Sequence, residues 1–127
     1  MKLSEAILQG CQRSAPLTGL LVSRDANGAL SACVLGAAYL ARMPDVPASE
    51  TLSVEAVEAF YPVLRQRGFF KRLPKGWREL LVTAFERDEL PRLLAVDQLR
   101  LGYILTTLSD QGVPREALAG WLAEKGQ

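Results

Sequence analysis

Apolar positions recur at helical spacing along most of this chain, and prolines and glycines divide the pattern into segments. Leu3, Ala6, Ile7 and Cys11 mark a short amphipathic helix that opens near Ser4 or Glu5 and is ended by the stretch from Ser14 to Pro16. Thr18 to Ser23 is a brief apolar run, expected to be extended, and the Asn27-Gly28 pair after it signals a turn. A lone strand cannot make a sheet. The expectation is therefore an extended stub, or at most a hairpin near residues 18–30. Gly28 to Met43 (GALSACVLGAAYLARM) holds no acid and one base, Arg42. On a helix it is apolar almost all round, and such a helix has to be buried. Ala29, Cys33, Ala37 and Ala41 fall on one stripe with Ala32 and Gly36 beside them. Small residues there let another backbone come close.

The second half continues the pattern. Ser53 is placed to cap a helix carrying Val54, Val57, Phe60, Tyr61 and Leu64 inward. Pro62 breaks that helix or opens a new turn, and Gly68 stops it. Phe69 to Gly76 reads as irregular, and Trp77 to Arg87 as a helix with Leu80, Leu81, Ala84 and Phe85 inward. Pro91 to Ser109 reads as the longest helix, with Leu94, Leu101, Ile104, Leu105 and Leu108 on one face. Asp110-Gln111-Gly112 is a turn, Pro114 an N1 proline, and Arg115 to Lys125 a last helix burying Leu118, Trp121 and Leu122. The expected fold is an all-α single domain over residues 1–127. It has five or six helices, with the Gly28–Met43 and Pro91–Ser109 helices at its centre. At 127 residues such a chain can bury a real core without disulfides or metal.

Composition removes several chemistries. Histidine is absent, and Cys11 and Cys33 are the only thiols. The usual Cys/His zinc sites and His-assisted nucleophiles are therefore excluded. No cofactor, no metal and no enzymatic activity are expected. The N-terminus lacks signal-peptide character, and the longest uncharged apolar run, Ala29 to Ala41, is too short to span a bilayer. Two unpaired thiols in the cytoplasm are the expectation.

Several segments together resemble a group of small bacterial helical proteins of uncharacterised function. They are the opening Lys2-Leu3-Ser4-Glu5-Ala6-Ile7, the core Cys33-Val34-Leu35-Gly36-Ala37-Ala38, then Tyr61-Pro62-Val63-Leu64, Leu108-Ser109-Asp110 and the closing Arg115-Glu116-Ala117-Leu118-Ala119-Gly120-Trp121-Leu122. The group starts KLSEAI, carries a C-A-L-G-A-A segment and ends on an R-E-x-I-A-x-W motif. The resemblance implies a compact helical fold and no assigned activity. The group often shows a C-P-x-C pair in its second half. This chain lacks that pair, so no metal-linked role carries over.

Charge order is the sharpest surface feature. The chain carries fifteen bases and fourteen acids. Yet between Glu58 and Glu79 stand six bases, Arg65, Arg67, Lys71, Arg72, Lys75 and Arg78, and no acid. Phe69, Phe70 and Trp77 interleave with them. Bases neutralise phosphates and aromatic rings stack on unpaired bases. The simpler alternative is that the block faces the acids on either side of it, among them Glu55 and Glu58 before it and Glu79, Glu86, Asp88 and Glu89 after it, while its aromatics anchor to the core. Glu86, Asp88 and Glu89 lack the spacing of a calcium loop. The closing helices have the rhythm of the first half of a helix-turn-helix, but no recognition helix follows in this sequence, and a plain antiparallel hairpin is the expectation. The function expected is non-catalytic: a module working through a protein partner or self-association, with a homodimer possible. Binding of nucleic acid or an acidic partner through residues 65–78 is the alternative.

Overall fold

The computed structural model describes residues 1–19, 21–43, 52–87 and 98–127, with the backbone alone for 85–87. Among these residues the fold is mainly helical, with a small sheet beside the helices. Helix α1 (Leu3–Arg13) turns into the two-residue strand β1 (Ala15–Pro16). Strands β2 (Val22–Arg24) and β3 (Leu30–Ala32) follow, then α2 (Val34–Leu40) and α3 (Val54–Phe60). After two 3-10 turns, Pro62–Arg65 and Phe70–Arg72, come α4 (Lys75–Arg87), α5 (Leu101–Asp110) and α6 (Arg115–Glu124).

The expected all-α fold, with at most a hairpin near residues 18–30, is corrected to a mainly helical one with a three-stranded sheet of order β1-β3-β2. Strand β2 pairs antiparallel with β3, Ser23 opposite Ser31, and β1 pairs parallel with it, Ala15 opposite Ser31. The hairpin forms where Asn27-Gly28 signals a turn. Asp25 Oδ1 accepts from the amides of Asn27 and Ala29, both at 2.9 Å, and Gly28 takes φ +83°, which a side chain would resist. One consequence is that Gly28–Met43 is not one helix. Residues 30–32 are strand, Cys33 is the extended N-cap residue, and only Val34–Leu40 is helical. Both conformations can bury a continuous apolar run, so periodicity alone does not separate them. The pairing offered by β1 and β2 decides for the strand.

The expected Pro91–Ser109 helix is corrected in the same way. Arg100 is extended (φ −71°, ψ 146°), and α5 begins at Leu101. The amide of Leu101 donates to Gln66 O at 2.9 Å. Residues 88–97, which carried the first part of that expectation, lie outside the described residues. Pro114 is the N-cap residue of α6 rather than its first helical residue. Ser53 does cap α3, accepting from the Ala56 amide at 3.3 Å, and Pro62 opens a new turn as expected.

Helix α2 is central, packed against α1, α3 and α5. Of its seven residues, only Tyr39 is not buried. Two glycines make this possible. A Cβ on Gly10 of α1 would run into the carbonyl of Ala37, and a Cβ on Gly36 would run into the carbonyl of Leu21. The small stripe thus serves two close contacts, one with a helix and one with the extended segment before β2. Tyr61 donates to Ala38 O at 3.0 Å and ties the end of α3 to α2. The expected closing hairpin is also corrected: α6 lies principally against α1, not α5. Arg115, 5% exposed, joins α6 to the sheet side. It donates to Ser14 Oγ (2.9 Å), Ser14 O (3.0 Å) and Ala32 O (3.2 Å).

Gly10→Ala is expected to cost at least the ~1–3 kcal/mol typical of overpacking, because the obstacle is backbone. Gly120 of α6 faces open space, so Gly120→Ala is expected to add roughly 0.5–1 kcal/mol of stability. Urea denaturation of the two variants checks this; equal midpoints would remove the close α1–α2 crossing from the account.

Candidate basic cleft

The 65–78 segment is held to the body of the protein by its aromatics. Phe69 is 3% exposed, and Trp121 of α6 takes both Phe69 and Trp77 edge-on, with ring centroids 6.0 and 6.2 Å away. Trp121 Nε1 also donates to Arg72 O at 3.1 Å. Phe69 and Trp121 belong to the buried core, and Trp77 and Phe70 pack against it half-buried.

The six bases are not equivalent. Arg65 Nε meets the nearly buried Glu58 Oε2 at 3.1 Å. Its own side chain is 59% exposed, so the pair contributes little. Arg67 donates to Gln98 Oε1 at 3.0 Å. The Arg72 guanidinium lies 5.4 Å from the centre of the Phe69 ring, and Lys71 is engaged as well. The alternative in which the block faces its flanking acids is met by Arg65 with Glu58. Glu86, Asp88 and Glu89 lie outside the described side chains. Among the described residues, Lys75 and Arg78 make no side-chain hydrogen bond or ion pair, and Arg78 Nε is shielded from water without an acceptor.

Those two residues line one open cleft of about 500 Å³, together with Phe70, Glu79, Val82 and Thr83. Positions 75, 78, 79, 82 and 83 fall on one stripe of α4, because residues three and four apart share a helix face. Leu81 and Ala84, on the opposite face, are buried. Val82 is exposed (41%), an apolar surface among charged neighbours. The sequence reading grouped the bases by their order in the chain and missed Val82, Thr83 and Glu79 as their companions. The i, i+3, i+4, i+7 spacing from Lys75 was the signal available.

A second, smaller cavity of about 240 Å³ is lined by Gly19, Leu21, Cys33, Leu52, Val54, Thr106 and Asp110. Asp110 Oδ1 accepts from the Gly19 amide at 3.0 Å. Burial pushes the Cys33 thiol up from its ordinary value, although the amides of Gly36 and Leu35 at the start of α2 oppose the rise. Burial raises Cys11 too. Neither is poised as a thiolate nucleophile. Among the described residues no group of three or more Cys, Asp or Glu could hold a metal ion, and no helix is long and apolar enough to cross a membrane.

No protein-family model matches the chain, and no curated protein or solved structure does either.

Two outcomes follow from these contacts. Trp121→Phe is expected to cost about 0.5–1.5 kcal/mol through the lost bond to Arg72 O. Trp121→Ala should cost about 3–5 kcal/mol by emptying the aromatic cluster, and calorimetry that ranks the two equally would contradict that division. The raised thiols set a pH dependence. The folded state holds the Cys33 proton more tightly than the unfolded chain, so its contribution is complete below the ordinary thiol value of 9.0 and is lost as pH rises past it. Melting temperature should fall above pH ~9, and Cys33→Ala should flatten part of that fall. An unchanged slope in the variant would show that Cys33 is not the group titrating.

Proposed function

We propose that this chain is a non-catalytic, mainly helical module that acts by protein contact, as a regulatory or accessory partner in the reducing cytoplasm. The lining of the cleft beside α4 supports this. Phe70 and Val82 offer apolar surface, Lys75, Arg78 and Glu79 edge it with charge, and Thr83 adds one hydroxyl. That is a contact chemistry. It contains no thiol, and its one carboxylate and one hydroxyl are not joined in a hydrogen-bonded pair that could activate a nucleophile. Elsewhere several polar groups serve the fold. Arg115 holds the α1 end and β3, Asp25 shapes the hairpin, and Asp110 holds the Gly19 loop. The resemblance to a group with no assigned activity is compatible with such a role.

Nucleic-acid binding through residues 65–78 is the second reading, favoured by the two cations, Lys75 and Arg78, without side-chain partners among the described residues. The two readings separate in one experiment. Immobilised protein is incubated with native lysate, with and without nuclease, beside a Val82→Asp variant whose circular dichroism matches wild type. The contact reading expects a discrete set of proteins retained by wild type, insensitive to nuclease and lost with Val82→Asp. A bound fraction dominated by nucleic acid would reverse the order, and retention of nothing would remove the contact reading.

A further inference from the structure

Resting on that reading, we infer that the α4 cleft receives an acidic, amphipathic segment of a partner protein, with Arg78 and Lys75 taking its carboxylates and Phe70 and Val82 taking its apolar side chains. Charge complementarity carries the choice of occupant. Four of the six bases are already engaged, and the remaining two stand three residues apart on the same stripe of α4 as Val82. Arg78 Nε is withdrawn from water and has no acceptor. A carboxylate brought to the rest of that guanidinium, which makes no hydrogen bond or ion pair among the described residues, gains a charge-assisted bond. An exposed valine one turn beyond these cations suits a partner that is apolar and acidic at once, which an amphipathic acidic segment supplies along one face. A cleft of about 500 Å³ is large enough for a few side chains of such a segment.

The same lining disfavours a nucleic-acid strand. Glu79, between the positions of Arg78 and Val82, interrupts the positive charge of the cleft, which suits carboxylates spaced along one face of a segment better than a continuous run of phosphates. Stacking faces are scarce: Phe69 and Trp77 are packed on Trp121, and Arg72 covers Phe69. With a net charge of +1 the chain has little long-range attraction for a polyanion.

The test uses a fluorescein-labelled synthetic helical peptide with leucine on one face and glutamate on the other, a matched peptide with lysine for glutamate, and labelled oligothymidylate. Fluorescence anisotropy with the full chain at low salt should show saturable binding of the glutamate peptide and none of the lysine peptide. The combined change Lys75→Ala and Arg78→Ala should weaken binding by about tenfold or more, the loss expected for charge-assisted hydrogen bonds. Val82→Asp should weaken it as well, whereas Arg65→Ala, outside the cleft, should leave it unchanged. Circular dichroism confirms that each variant is folded. Absence of glutamate-peptide binding, binding insensitive to the cleft variants, or equal binding of oligothymidylate lost in the same variants would each overturn the inference. The outcome is separable from the function proposed above. If lysate partners stay bound to the Lys75/Arg78 double variant, contact through another face stands and the cleft assignment falls.

Discussion

The structure depends on a backbone-close enclosure of α2. A seven-residue helix is too short to be stable alone, and its stability has to come from burial. Burial on every side requires neighbours that approach to backbone distance. Gly10 opens that approach for α1 at Ala37, and Gly36 opens it for the Leu21 carbonyl. Once α1 lies on α2, Arg13 reaches Leu40 O at 2.6 Å and neutralises part of the negative end of α2. Once the Leu21 carbonyl lies on Gly36, it accepts the Cys33 amide at 3.0 Å, and the β2–β3 pairing follows directly. The sheet and the helical core are thus two outcomes of one packing constraint.

Helix α6 carries this core to the surface in two directions. Arg115 at its start reaches the carbonyls of Ser14 and Ala32, so a buried guanidinium is satisfied by backbone rather than by a carboxylate. Its Nε stays without a partner, a cost the surrounding packing has to offset. Trp121, farther along, holds Phe69, Trp77 and Arg72. The basic segment is therefore fixed in place from behind, by rings facing inward, while Lys75 and Arg78 are left facing the cleft. That order behind the cleft would limit the backbone entropy lost by the contact surface proposed above.

Most boundaries marked by proline, glycine or a capping residue were legible in the chain. Ser53 caps α3, Pro62 opens a turn, Gly112 takes positive φ after α5, and Asn27-Gly28 closes a hairpin; Gly68, expected to stop a helix, lies beyond the 3-10 turn that already ends at Arg65. These are local effects, set by each residue's own backbone freedom and hydrogen-bonding groups. The buried positions Leu81, Leu108, Leu118, Trp121 and Leu122 were legible for a similar reason, since spacing alone places them on one face of their helices. The grouping of Lys75 with Arg78 was legible in outline. Their separation from Arg65, Arg67 and Arg72 was not, because it depends on Glu58, Gln98 and Phe69 arriving beside those three.

What the sequence determined by itself was which residues must leave water and where the chain must turn. Tertiary structure decided what the buried apolar runs became. Residues 30–32 are as apolar-compatible with helix as with strand, and only a partner strand on each side, β1 and β2, satisfies their backbone as sheet. Gln98 to Arg100 continue a helical pattern in the sequence, yet Arg100 is extended and the Leu101 amide bonds Gln66, a residue far away in the chain. Hydrogen bonds between distant segments leave no periodic trace in either segment alone, and for that reason the pairing of β1 with β3 and the start of α5 belong to the folded protein rather than to its sequence pattern.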